Sequence, residues 1–406
     1  MAHRTVPFLD LSREYRLLGP DLLRGIEAVL EQQRFILGEE VTALELQAAA
    51  RCGVAHAAGC ASGTDALWLS LAAAGIGPGD AVLTTPFSFF ASVSAILRAG
   101  ASPVLADIHP ESFNLSSQAV RECLNGSAPP AAKAGESAAN SAAIRAVLPV
   151  HLFGQTADWD GFEALQREYV RPPLRSGPEP LVLIEDAAQA FGAAWDSRPA
   201  GSLGQAAAFS FYPTKNLSAA GDAGLVTTDD EAIAERVRLL RQHGMRRRYH
   251  HEIVGWNSRL DTLQAAVLLV KLRFIDEWNA SRRSLATRYC SLFEQAGLAD
   301  RGPYPERGVV LPTTHPKATH VFHQFVIRVR RRDELKAFLD QRGIGSEIYY
   351  PVPLHLQPAF AFLGYSAGAF PEAERAAREV LALPIYPQLT PDEQELVVTG
   401  ICDFLS

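Results

Sequence analysis

Cysteine is sparse and badly placed for structural work in this 406-residue chain: Cys52, Cys60, Cys123, Cys290 and Cys402 are odd in number and form no C-x-x-C pair. That leaves no disulfide framework and no zinc-ligand spacing, so most of these thiols are expected as small buried hydrophobes and no metal site is expected. Positive charge is not in excess either. The net charge is −7 and the sequence pI about 5.9, so no global field draws in nucleic acid or an anionic membrane. No apolar run is long enough to span a bilayer, and Met1 to Asp10 lacks the apolar core of a signal peptide. The expectation is a cytoplasmic protein with no nucleic-acid or membrane partner. The remainder, 48% hydrophobic and 20% charged residues, is ordinary for a globular enzyme of two or three domains.

The stretch Phe209 to Asp222 organises the reading. An apolar run, Ala206 to Phe211, breaks at Pro213 and presents Lys215 at the end of a strand. A lysine there is either solvated decoration or a reagent. Ser210 and Thr214 offer hydroxyls nearby, Pro213 stiffens the turn, and Gly221 with Gly224 lets backbone pass close. A desolvated lysine amine beside an aldehyde forms a Schiff base. The cofactor that uses one, pyridoxal 5′-phosphate, also needs a phosphate cradle, a carboxylate for its ring nitrogen and an aromatic lid.

Candidates for each lie upstream. Ser62-Gly63-Thr64-Asp65 feeds the apolar helix Ala66 to Ala74, a loop-to-helix start that is either an ordinary N-cap or an anion site. The strand Ala81 to Thr85 ends at Pro86-Phe87-Ser88-Phe89-Phe90, where one aromatic at the tip can stack on a flat ring and the others fill core. The buried run Leu181 to Ile184 delivers Glu185-Asp186-Ala187-Ala188-Gln189, with Asp186 as helix cap or ring-nitrogen partner. Strands and helices alternate, as in a parallel sheet with ligands at the carboxyl ends of its strands.

The remaining segments are read as follows. Val6 to Leu11 is extended and a helix runs from about Pro20 to Leu30; Asn125 to Ala143 and Arg171 to Pro180 are loops. Arg246 to His251 is a basic cluster, either solvated or aimed at a diphosphate, and Ser258 to Asp261 is spaced as a capping box. From about Asn279 a smaller α+β region follows, with a strand Val321 to Val329 and a helix Arg332 to Gln341.

Taken together, Gly63-Thr64-Asp65-Ala66-Leu67, Glu185-Asp186-Ala187-Ala188-Gln189, Ser210 to Asn216 and Asn257-Ser258-Arg259-Leu260-Asp261 resemble the DegT/DnrJ/EryC1/StrS family of sugar aminotransferases, over nearly the whole chain from Phe8 to Pro387. The resemblance implies an α/β, aspartate-aminotransferase-like fold (pyridoxal-phosphate fold type I). It has a large domain, residues 1–278, with a seven-stranded mostly parallel sheet, and a small α+β domain, residues 279–406, in a homodimer with shared active sites. It implies that Lys215 binds the cofactor covalently and shuttles the proton, that Asp186 holds the ring nitrogen, that Gln189 contacts the ring hydroxyl and that Phe89 stacks. Gly63, Thr64 and Ser210 would bind the phosphate with Asn257 of the partner subunit. Tyr212 stands where many members carry His, which leaves the contact of that His open. The donor would be L-glutamate and the acceptor a nucleotide-linked keto hexose. Gly221 to Gly224, Arg248 to His251 and Tyr349 to His355 look most like the branch acting on 3-keto sugars, with a dTDP-3-keto-6-deoxyhexose preferred. UDP-3-keto-N-acetylglucosaminuronate and a 4-keto nucleotide sugar are the alternatives. Tyr212, Arg259, His323, Tyr350 and His355 are candidate substrate contacts, each equally readable as a packed or surface side chain. Lys215 argues against the family's dehydratases, which carry His there. From another class, a nucleotide-sugar sensor that kept the fold is countered by Asp186, Gln189 and Lys215 occurring together.

Overall fold

The structure, a computed structural model, describes residues 5–126, 143–169 and 180–406. The two loops expected at Asn125 to Ala143 and Arg171 to Pro180 lie, apart from their end residues, outside the described residues.

The short apolar runs form one seven-stranded sheet. In spatial order its strands are His56–Cys60, Gly224–Thr228, Ala206–Ser210, Val182–Asp186, Ala143–Val147, Asp80–Thr84 and Ser102–Leu105. Gly224–Thr228 pairs antiparallel with both neighbours, and every other pairing is parallel. Six strands therefore run one way, the mostly parallel α/β sheet that was expected. Both faces are covered, which is why the strands read as continuous apolar runs rather than alternating ones. One face packs Phe209 and Phe211 against Leu44, Leu268 and Trp278; the other packs Ala208 and Val226 against Trp68, Leu71 and Val237. Full burial of a side chain such as Phe209 contributes about 1.5–3 kcal/mol.

Local chemistry moved three boundaries. The first helix is Leu11–Gln32 and carries Pro20 inside it, because Asp10 caps the start by accepting from the Ser12 N–H. No helix starts at Ser258: its N–H donates to Arg241 O, its carbonyl accepts from Ala61 N, and its hydroxyl is taken by Asp65, so the expected capping box does not form and the helix is Thr262–Leu272. In the C-terminal region the strand shortens to Phe325–Arg328 and pairs antiparallel with Val380–Leu383, which sequence reading did not identify. Val6 bridges Ile344, and Gly345 N donates to Val6 O, so the N-terminal segment is clasped by the C-terminal region. The 278/279 boundary falls within the helix Ile275–Gln295.

Candidate active site

Six strands pointing one way give one rim of carboxyl ends, the edge at which such sheets bind ligands. Ser62 to Asp65, Thr85 to Phe89, His151, Asp186 and Ser210 to Lys215 all leave the sheet there.

Asp186 ends the central strand and is 3% exposed. Its Oδ2 accepts from Ser92 Oγ at 2.7 Å and its Oδ1 from Ala188 N at 3.2 Å. Ser92 Oγ lies 2.9 Å from Ser88 Oγ, and since Ser92 gives its proton to Asp186, Ser88 is the donor of that pair. Burial pushes the Asp186 carboxyl above its ordinary range, and the Ser92 hydrogen bond opposes that. One residue back, Glu185 points to the other face. It accepts from the backbone N–H of Gly201, Leu203 and Gly204 and from His151 Nε2, whose Nδ1 accepts from Ala157 N. The adjacent carboxylates thus divide their work: Glu185 is saturated by the fold, while Asp186 has lone pairs left for a ligand.

Lys215 sits in a turn closed by its N–H on Tyr212 O at 2.8 Å. Burial of the amine lowers it to about 8, the Asp186 carboxylate pulling the other way. An amine poised there can act as nucleophile and as base near neutral pH. The next residue anchors the turn: Asn216 Nδ2 donates to Asn279 Oδ1 at 2.8 Å and to Val321 O at 3.0 Å, and its Oδ1 lies 3.2 Å from His323 Nδ1. Lys271, from the helix Thr262–Leu272, donates to Ser218 Oγ at 3.0 Å while paired with Glu14 at 2.6 Å.

The helix Gly63–Ala73 opens against this turn. Ser62 caps it by accepting from Asp65 N, and Ala66 N is bonded to Ser62 O, so Gly63 and Thr64 keep the first-turn N–H groups that no helix bond uses. A Cβ at Gly63 would sit 2.5 Å from Ser210 Cβ, and one at Gly224 would sit 2.2 Å from Ser62 O. Both glycines are therefore required for two loops to close on one small volume. That volume has free N–H donors, a hydroxyl and the positive end of a helix, the donor set a phosphate needs. With a desolvated amine and a buried carboxylate on the same rim, the residues present fit pyridoxal phosphate.

The other candidates divide. Gln189 receives Phe153 N on Oε1 at 2.6 Å and donates from Nε2 to Tyr350 OH at 3.0 Å, tying the C-terminal region to the rim. Tyr350 packs edge-on to Phe87 and lies 6.5 Å from the Phe89 ring, and burial raises its phenol. Phe89 and Tyr212 are 59% and 52% exposed, as a lid open to a ligand or a neighbour would be. Asn257 is exposed and makes no hydrogen bond within the described residues, and Arg259 Nε is buried without a partner. His355 follows Leu354, whose N–H donates to Pro86 O at the rim, but its own ring is buried against Phe370, with Nε2 on Glu374 at 3.0 Å. The basic cluster forms an exposed hairpin in which Arg246 is neutralised by Glu235 and Glu252 while Arg248 lies over Tyr249. Ser88, Ser92 and Asn279 were missed by sequence reading. Ser92 lies one turn past Ser88 on a helix entered from a strand tip, the one signal that could have found the pair. Among the described residues, no group of three or more His, Cys, Asp or Glu could hold a metal, and no helix is long and apolar enough to cross a membrane.

Comparison with known proteins gives the chain's family. Residues 18–402 match the DegT/DnrJ/EryC1/StrS aminotransferase family. The chain is 45% identical over 399 residues to a protein of Geobacillus stearothermophilus named "pleiotropic regulatory protein", covering 98% of each chain. It is 41% identical over 396 residues to dTDP-3-amino-3,4,6-trideoxy-alpha-D-glucose transaminase of Streptomyces venezuelae, covering 98% of this chain and 95% of that one. The crystal structure of S. venezuelae DesV in complex with a ketimine intermediate superposes with a TM-score of 0.87 at 40% identity, over 99% of both chains.

Proposed function

Because the chain belongs to the DegT/DnrJ/EryC1/StrS aminotransferase family, we propose that it moves the amino group of L-glutamate onto the C3 keto group of a dTDP-linked 3-keto-6-deoxyhexose, giving a dTDP-3-amino-3,6-dideoxyhexose. The observation that carries the reading is the pairing of a desolvated Lys215 with a buried Asp186 beside a glycine-walled anion cradle. The choice of a dTDP-linked sugar aminated at C3 is supported by the Streptomyces venezuelae relative, whose name carries a dTDP-3-amino-3,4,6-trideoxy sugar.

Bound at this rim, pyridoxal 5′-phosphate supplies an aldehyde that condenses with amines and a ring that takes up the electrons of a breaking C–H bond. The chain's residues do the rest. Gly63 N, Thr64 N and Ser210 Oγ would hold the phosphate, and Asp186, whose ionised form the Ser92 and Ala188 N hydrogen bonds favour against burial, would hold a proton on the ring nitrogen. Phe89 would cover one ring face, and Gln189 would reach the ring hydroxyl. Lys215 Nζ, unprotonated above about pH 8, takes the α proton of glutamate and delivers a proton to C3 of the sugar. Asn257 of the partner subunit completes the phosphate site. A homodimer would also cover exposed apolar side chains such as Trp256 and Val254.

The test takes two half-reactions. The loaded protein is mixed with L-glutamate and 2-oxoglutarate is measured; glutamate is removed and 3-keto and 4-keto nucleotide hexoses, dTDP- and UDP-linked, are added separately. Amination of the dTDP-3-keto sugar alone is expected. Amination of the 4-keto or UDP-linked sugar instead overturns the substrate while keeping the enzyme class. The regulatory name of the Geobacillus relative favours a second reading, a nucleotide-sugar sensor, and a chain that releases no 2-oxoglutarate would establish it over ours.

A further inference from the structure

The loop that carries Lys215 joins the strands Ala206–Ser210 and Gly224–Thr228. Its ends close on each other, Phe211 N donating to Ala223 O at 2.8 Å and Ala219 N to Phe211 O at 2.7 Å. Two further grips come from a single helix, Thr262–Leu272. Gln264 Oε1 accepts from Ala220 N at 2.8 Å, and Lys271 Nζ donates to Ser218 Oγ at 3.0 Å. Gln264 and Lys271 lie about two turns apart, so one face of the helix grasps the loop twice. Lys271 is braced in turn from the helix Leu11–Gln32, whose Glu14 Oε1 lies 2.6 Å from its Nζ.

Lys271 is 7% exposed and Ser218 1%, so this brace sits almost wholly out of water. A buried ion pair adds little net stability, because desolvation of both charges offsets their attraction. Apolar packing of the loop on this helix is already supplied by Leu217 with Leu268 and Leu272. What the ammonium adds, and an apolar side chain could not, is a directed and charge-assisted hydrogen bond to the serine three residues past Lys215. We infer that Lys271 is a positioning residue: its head fixed by Glu14, it clamps Ser218 and so sets the turn that aims the Lys215 amine into the rim. Glu14, near the start of the chain, thereby belongs to the support of the site.

The inference rests on Lys215 as the amine that binds the cofactor, and its test can fail separately from that reading. Ser218→Ala decides, because it removes the clamp and leaves the Glu14–Lys271 pair in place. In the full-length chain without cofactor, hydrogen exchange over residues 215–220, read by mass spectrometry, should quicken about tenfold to a hundredfold, the effect of losing one hydrogen bond to a charged donor. Exchange in the sheet strands should not change. Unchanged exchange over 215–220 overturns the proposal. The second measurement mixes the chain with pyridoxal 5′-phosphate at rising concentration and reads covalent attachment to Lys215 after borohydride reduction. Ser218→Ala should lower the limiting rate about tenfold to a hundredfold and leave the half-saturating concentration as in wild type. Lys271→Met combined with Glu14→Gln, which removes both charges together, should give the same fall. A wild-type limiting rate in Ser218→Ala, or a change in the half-saturating concentration alone, makes the clamp a packing contact and overturns the proposal. Absence of attachment to Lys215 in the wild-type chain would instead remove the aminotransferase reading and leave the exchange measurement standing.

Discussion

Replacing Ser92 with alanine is the most informative single change, because its effect has a sign that depends on pH. Ser92 is 1% exposed and spends its proton on Asp186 Oδ2. Deleting the hydroxyl leaves a nearly dry carboxylate with one backbone donor, Ala188 N, and takes away a hydrogen bond to a charged group, about 1.5–3 kcal/mol. That applies only while Asp186 is ionised. Burial sets the folded pKa above the unfolded one, so ionising this carboxyl costs the fold stability as pH rises through the folded value, and Ser92 offsets part of the cost. The gap between wild type and Ser92→Ala should therefore open as pH rises through the Asp186 titration and shrink below it toward the remainder left by a neutral hydrogen bond. Urea unfolding of the cofactor-free protein from about pH 4 to about pH 9 measures it. Weaker cofactor binding should accompany the gap, since the same carboxylate holds the ring nitrogen. A loss of equal size across the whole range would refute the reasoning and make Ser92 a packing residue.

Lys215→Met should lower transamination by about 10²–10⁴-fold, the usual contribution of a positioned acid–base group. It should also remove a pH effect on the cofactor-free chain: with the folded pKa near 8 and the unfolded one near the ordinary lysine value, wild-type stability should rise with pH between the two, and the variant should lose that slope. Gly224→Ala puts a Cβ 2.2 Å from the Ser62 carbonyl, which is backbone and cannot rotate aside. It should destabilise by about 1–3 kcal/mol and weaken binding of the cofactor phosphate more than it alters the melting temperature, as fluorescence titration and calorimetry would show.

The rim was largely legible from the chain because each of its residues comes from a short motif at a strand end: Gly63 and Thr64 at a helix start, Asp186 after a buried run, Lys215 after a proline. Sheet order was not, since Gly224–Thr228 inserts between His56–Cys60 and Ala206–Ser210 from far along the chain, and nothing local records its reversed direction. Ser92, Asn216 and Asn279 were illegible as partners for the same reason. A small polar residue has no periodicity to announce it, and these act across 63 to 107 residues of separation. His355 is a different case: a histidine in a proline-rich segment looks like a ligand contact, and in the structure Glu374, brought in by the helix Pro371–Glu379, takes its Nε2 while its buried Nδ1 has no partner.

The bridge between Val6 and Ile344 bears on the order in which the molecule can be assembled. Ile344 is synthesised 338 residues after Val6 (344 − 6), and at about 5–20 residues per second a ribosome takes roughly 17 to 70 s to cover that distance. All seven strands of the sheet lie between the two, as does Lys215. The sheet can therefore close, and the cradle form, while Val6 to Leu9 still wait for the apolar cluster of Phe325, Leu339 and Leu383 that will cover them. Closing that clasp is a late, non-local step, and a nascent chain stalled short of residue 344 would hold its rim residues without the segment that brings Tyr350 to them.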